Sequence, residues 1–350
     1  MNVDHGGQVV SERVRLTQGE YGAFVLRAAF LTADLGAMAI LGDGSAVQGT
    51  PRALAGGAGR RVSLGAVAIC AHADVDKKAM LCGTEDGRLV RVSPDGAVAT
   101  IWTGKPVWVE QLAVHARSGL RAVAQGRAVV VLGADGVPLA HLDDHPSTPT
   151  GLSFSPNGSK IAVSHYGGIS VWQVVTGEKT HGLSWHGSHT GVSWSPDGRF
   201  IVSAMQDKEL HCWRMPAAKG MRMSGYPSKI RALSWTADAA YLVAGGADTV
   251  TSWYCAEGGP AGRAPLEFGY VFNGTVTAVA AHPTDRRAAG GYNEGTVLIG
   301  ELETGDAIIA RPPGGGAVTT LSWSEDGASL IAGTERGAVA LIELAGGEAV

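Results

Sequence analysis

One pattern recurs along this chain. A short apolar strand, a polar turn, a second apolar strand ending in Gly or Ser, an acidic-glycine turn and a third apolar strand follow one another repeatedly. The clearest copies start at Thr150, Thr190, Arg231, Thr277 and Thr319, and weaker ones at Arg27, Ala68 and Glu110. Anchoring each copy on an apolar residue of its first strand gives Ala29, Ile69, Leu112, Leu152, Val192, Leu233, Val279 and Leu321, spaced by 40, 43, 40, 40, 41, 46 and 42 residues. Helical and leucine-rich repeats do not fit, because the apolar stretches are short, alternate with period two and are rich in β-branched residues. A repeat of about 40–45 residues holding several short strands builds four-stranded propeller blades. The expected fold is therefore all-β, a β-propeller of four-stranded antiparallel blades. Eight blades are expected, with seven as the second reading should the short copy at residues 24–61 fail to form a full blade.

The 51 glycines and 15 prolines among 350 residues suit such a chain, which must turn often and bring strands close together. Length alone suggests two domains, but propellers routinely exceed that scale. A single domain over 1–350 is expected, with 1–18 as a closing strand, 24–316 as seven blades and 317–344 as the last. Only 29 residues follow Leu321, room for three strands and no fourth. Val9–Thr17 sets Val14 and Leu16 against Arg13 and Arg15, so this N-terminal segment is expected to supply the missing outer strand.

Ser155-Pro156-Asn157-Gly158 and Ser195-Pro196-Asp197-Gly198, with Ser324-Glu325-Asp326-Gly327 as a looser copy, look like the first turn of the WD-repeat (WD40) β-propeller family. Trp172, Trp213 and Trp253 match its third-strand tryptophan, and Thr176-Gly177 and Thr304-Gly305 its next turn. The resemblance covers about residues 24–344, although no copy carries the literal Trp-Asp pair. It implies a buried hydrogen-bond chain in a blade, for which His186, Ser203, Asp207 and Trp213 have compatible spacing. It also implies that Trp194, Trp235 and Trp323 pack between blades. The Ala/Gly/Val-rich style suggests a bacterial source.

Catalytic signatures are missing. There is no phosphate-binding GxxxxGK[ST], no GxSxG and no CxxCH haem site. Cys70, Cys82, Cys212 and Cys255 form no CxxC and are expected to be reduced, with no metal or other cofactor. His181, His186, His189 and His211 cluster locally, but structural roles are the commoner outcome. His141-Leu142-Asp143-Asp144-His145 reads as a solvated loop. Eight lysines and a net charge of −4 argue against nucleic acid. The start of the chain lacks a secretory pattern, and Arg27 and Asp34 interrupt the most apolar stretch, so a cytoplasmic protein without membrane contact is expected.

What remains is a noncatalytic scaffold, monomeric apart from a protein or peptide partner. The family resemblance places contacts on the fourth-to-first and second-to-third loops. Candidates there are Trp108, His145, Tyr166, Trp185, His189, Gln206, Tyr226, Lys229, Tyr292 and Arg336, aromatic and arginine residues being the usual interface anchors. The alternative is a small-molecule, metal or cofactor site at the central channel, an oxidoreductase among the possibilities.

Overall fold

The structure, a computed structural model, describes residues 13–32 and 36–345. It forms two compact units, one made by the chain up to Arg61 together with Ile230 onward, the other by Val62–Lys229. Both are all-β and built of antiparallel propeller blades.

The first unit holds four sheets of four strands. One runs Val25–Phe30, Ala37–Leu41, Ser45–Gly49 and Arg60–Ser63, with a short helix, Pro51–Ala55, capped by the Thr50 side chain before its last strand. A second comprises Leu233–Trp235, Tyr241–Ala244, Val250–Tyr254 and Leu266–Phe268, and a third Val276–Ala281, Arg287–Tyr292, Val297–Glu301 and Ala307–Arg311. In the fourth, Val318–Trp323, Ser329–Thr334 and Ala338–Leu344 are completed by Val14–Glu20 from the other end of the chain. Val14 pairs with Leu344 and Glu20 with Ala338. Val9–Glu12 of the expected closing segment lie outside the described residues.

The second unit contains Ala68–Ala73, Met80–Thr84, Arg88–Val92 and Val98–Thr103 as one sheet, and Gln111–His115, Leu120–Gln125, Ala128–Leu132 and Pro138–Leu142 as another. Its third sheet has six strands: Gly151–Phe154, Lys160–Gln173, Lys179–Trp194, Phe200–Met205, Leu210–Arg214 and Lys219–Met223. The count of blades is thereby corrected. Among the described residues the strands form seven sheets, not eight, because the copies starting at Thr150 and Thr190 are joined in one. Gly167 (φ +86°), Gly168 (φ +144°) and Gly187 (φ +92°) bend the chain where the pairing shifts register, and the strands run on past the bend. Lys179–Ser188 pairs with Tyr166–Trp172, and His189–Trp194 pairs with Ile201–Met205. The short copy at residues 24–61, on which the seven-blade reading rested, is a full sheet.

The turns explain themselves chemically. Ser155, Ser195, Thr236 and Ser324 each donate to an Asn or Asp two residues on, at 2.6–2.8 Å. The same hydroxyls accept the amide N–H five residues on, at 2.9–3.0 Å. Such Asx and Ser/Thr turns compete well with regular structure and fix where the second strand begins. Sheets pack through alternating apolar faces; Ala122, Ala124 and Val131 meet Ile161, Val163 and Trp172 in one buried cluster. Each large aliphatic buried this way contributes about 1.5–3 kcal/mol.

Hydroxyls also link the first strands of neighbouring sheets. Ser234 accepts the amide N–H of Ala281 at 2.9 Å, and Thr277 and Thr319 donate to the first-strand carbonyls of Val318 and Val25. Trp323 donates to Ala280 across the same kind of boundary, as expected for an inter-blade tryptophan.

Candidate functional site

In an antiparallel sheet of consecutive strands, the second-to-third turn lies at the end where the first strand enters and the fourth leaves. Call this the entry end. Among the described residues five aromatic side chains are exposed: Phe24, Trp108, Tyr166, Tyr270 and Phe272. All five sit on a connection into a first strand or at a second-to-third bend, the entry end of their own sheet. The large aliphatic residues exposed at the opposite ends are Val98, Val137, Leu139 and Val175.

The best-formed of these places is the loop at 104–110. Its backbone is fixed from both flanking sheets. Gly104 N–H donates to Gly87 O at 2.9 Å, and Val109 N–H to Thr84 O at 3.0 Å. Gln125 completes the hold, accepting from Lys105 N–H at 3.0 Å and donating to Lys105 O and Val107 O at 2.7 and 2.8 Å. Gly87 has φ +90°, and a Cβ there would fall 1.8 Å from Lys105 O, so only glycine lets the turn and the loop meet. Val109 is fully buried, while Trp108 beside it is 58% exposed. A tryptophan displayed from a fixed backbone needs little further backbone ordering on contact.

Glu85, Pro106, Val107, Trp108, Glu110 and Gly126 line an open groove of about 460 Å³ beside this loop. Glu85 accepts the Val67 amide N–H at 3.3 Å. Among the described residues neither Glu85 nor Glu110 is in an ion pair, whereas neighbouring Asp86 is matched by Arg88 at 2.8 Å. Below the loop Cys70 donates to Val109 O, and burial pushes its thiol up to about 12. The other three cysteines are buried and form no disulfide, and burial leaves them poor nucleophiles.

The remaining expected contact residues divide. Tyr166, Gln206 and Arg336 are exposed, and Trp185 and Lys229 half-buried. His145, His189, Tyr226 and Tyr292 are buried, which corrects their assignment as surface anchors. Two of these rings complete a core: Tyr292 packs with Val276 and Phe268 and donates to Gly269 O, and His145 lies against the Trp172 ring at 5.3 Å.

The buried chain expected around Ser203 is also corrected. His186 is exposed and lies against Trp185. The imidazole on Ser203 belongs to His189, whose Nδ1 accepts from Ser203 Oγ at 2.7 Å while Nε2 donates to Trp185 O at 3.1 Å. Trp213 lies beside it, with ring centroids 6.0 Å apart, and Asp207 is exposed. Strand pairing resumes at His189, opposite Met205, so His189 points inward where His186 cannot. In the preceding repeat a different pair forms, with His165 Nε2 on Ser170 Oγ at 2.9 Å, while Ser164 bonds the Thr150 hydroxyl at 3.0 Å. Desolvation keeps His145, His165 and His189 below the ordinary imidazole range and brings His211 down to about 4. His211 stacks on Trp185 at 3.9 Å, and the indole N–H of Trp185 donates to Glu209.

Sequence reasoning missed the Gln125 hold on the 104–110 loop, which no local motif announces. It also missed the buried ion pair of Asp74 and Arg121 at 2.8 Å. The hydroxyls between sheets left a signal: Thr150, Thr277 and Thr319 each stand two residues before an anchor. Among the described residues no group of three or more His, Cys, Asp or Glu is placed to hold a metal ion, and no helix is long and apolar enough to cross a membrane.

Comparison with known proteins agrees with this geometry. The family model "WD domain, G-beta repeat" matches residues 136–173 and 177–214. WD repeat-containing protein 1 of Gallus gallus is 35% identical over 81 residues, 22% of this chain and 13% of that protein. The 66 kDa stress protein of Physarum polycephalum is 26% identical over 189 residues, 49% of this chain and 31% of that protein. The chain thus aligns to less than a third of either relative. Among solved structures, the computationally designed Ika8 protein has a TM-score of 0.77 at 18% identity, covering 94% of this chain and 98% of its own. The RRP9 WD40 repeats follow at 0.63 and 17%, covering 80% and 94%. The resemblance to the WD40-repeat family is supported. These sequence relatives are eukaryotic, and a bacterial source finds no support among them.

Proposed function

We propose that this chain is a noncatalytic scaffold that binds another protein or peptide through the entry ends of its sheets. The observation that carries the reading is the sorting of exposed side chains: every exposed aromatic residue among those described stands at an entry end. Exposed aromatic side chains are the commonest interface anchors, and leaving them in water without a partner is unfavourable. WD40-repeat proteins typically serve as interaction platforms, which accords with it. In this reading the protein is cytoplasmic, monomeric apart from its partner, and engages neither nucleic acid nor membrane. Tyr166, Gln206, Arg336, Trp185 and Lys229 remain contact candidates beside Trp108. No observation favours a small-molecule, metal or cofactor site.

The test is co-purification of the tagged full chain from its native host. A stoichiometric protein should accompany the unaltered chain and be lost from a Trp108→Ala/Tyr166→Ala variant, or from a Phe24→Ser/Tyr270→Ser/Phe272→Ser variant. It should be retained by a Val137→Ser/Leu139→Ser variant. Retention by both entry-end variants and loss from the last would reverse the assignment.

A further inference from the structure

We infer that the groove lined by Glu85, Pro106, Val107, Trp108, Glu110 and Gly126 receives an arginine or lysine side chain from an extended peptide segment of a partner protein. The inference rests on the scaffold reading and adds the chemistry of what binds.

The charge pattern selects a cation. Two carboxylates face the groove and no basic side chain lines it. Glu85 spends one acceptor on the Val67 amide, and Glu110 makes no hydrogen bond through its carboxylate among the described residues. The nearby Asp86–Arg88 pair is internally balanced. Lys105 belongs to the same loop but is not part of the lining and forms no ion pair with Glu85 or Glu110 among the described residues. An incoming guanidinium or ammonium would meet unmatched negative charge, the arrangement that favours encounter and register at interfaces.

The apolar lining selects a side chain with a long stem. Pro106, Val107 and the indole of Trp108 offer surface to methylenes, and the indole face attracts a cation by its quadrupole. Arginine suits this better than lysine, since its planar fork can stack on the ring and reach a carboxylate together. The groove is open rather than enclosed, so a free amino acid would gain little there. An extended peptide can lie along the entry end and leave one basic residue in the groove. Because Gln125, Gly87 and Thr84 already fix the loop, little ordering is needed on binding.

The test uses the full chain and an immobilised array of random peptides of roughly ten residues. Native protein should select peptides carrying Arg or Lys. In solution, replacing that Arg by citrulline should weaken binding at least about tenfold, and Trp108→Ala should weaken it about 10–100-fold. Glu110→Gln should weaken Arg peptides and remove most of the difference between Arg and citrulline. Trp108 is exposed, and Glu110, half-buried, makes no hydrogen bond or ion pair through its carboxylate among the described residues, so unfolding midpoints should stay at the native value, separating lost contact from lost fold. Selection of neutral or acidic peptides overturns the inference. So does binding indifferent to Trp108→Ala and Glu110→Gln; the scaffold reading then survives, with contact placed elsewhere. An array that selects nothing, while co-purification still yields a partner, also overturns the inference and spares that reading. Failure of both experiments overturns both.

Discussion

The hydroxyl of Thr277 donates to the carbonyl oxygen of Val318, 2.7 Å away on the first strand of the next sheet. Thr319 does the same to Val25 O at 2.5 Å, and Thr150 donates to His189 O of the next repeat within the joined sheet. Each of these hydroxyls stands two residues ahead of a repeat anchor. A side-chain hydroxyl at this point therefore satisfies a carbonyl that the ladder leaves free and sets one blade against the next.

Thr277→Val should remove that link at nearly constant volume. The orphaned carbonyl of Val318 costs about 1–2 kcal/mol, which for a chain of this size lowers the melting temperature by roughly 2–5 °C. Calorimetry of the variant decides it; an unchanged melting temperature would show that water replaces the hydroxyl.

Deleting residues 1–20 takes away Val14–Glu20, the outer partner of Ala338–Leu344, and with it the packing of Val14 and Leu16 on the neighbouring core. The exposed strand edge invites association. A fall of roughly 10 °C or more in melting temperature, with aggregation seen by light scattering, is expected. A monomer as stable as the parent would contradict the pairing.

Stability should fall as the solution is acidified below about pH 6.5. His145, His165, His189 and His211 hold protons less well folded than unfolded, so the unfolded chain binds more protons as pH drops. Their stabilisation is complete above the unfolded pKa and is lost progressively toward about pH 4, where His211 titrates in the fold. Urea midpoints at about pH 7.5 and about pH 5 measure the loss. His211→Gln should shrink it, and an equally steep loss in that variant would exclude His211 as a contributor.

Tyr292→Phe and Trp108→Ala should behave oppositely. The first deletes a buried hydroxyl that Gly269 O accepts, costing about 1–2 kcal/mol of stability with partner affinity unchanged. The second leaves the unfolding midpoint in place and weakens the partner. Loss of partner binding on Tyr292→Phe would place that residue back in the contact surface.

Much of the fold was legible because its signals are local. Ser195, Asp197 and Gly198 specify a turn within a few residues, and alternation beside them locates the strands. The joined sheet was not legible, since Gly167-Gly168 and Gly187 look like loop residues whether or not pairing continues through them. Tyr292 and Trp108 were equally aromatic neighbours of turns. Only packing separates them, with Val276 of its own sheet and Phe268 of the neighbouring one covering Tyr292 while Gln125 holds the Trp108 loop open to solvent. His186 and His189 differ by three residues, and pairing opposite Met205 decides which enters the core.

The uninterrupted strand Lys179–Trp194 limits how this chain could be re-engineered. New termini made by circular permutation need a connection that can be cut without unpairing a ladder. Residues 143–150 join two sheets of the second unit and belong to no strand, whereas residues 185–189 lie inside this strand, where a break would part the ladder to Tyr166–Trp172 from the ladder to Ile201–Met205.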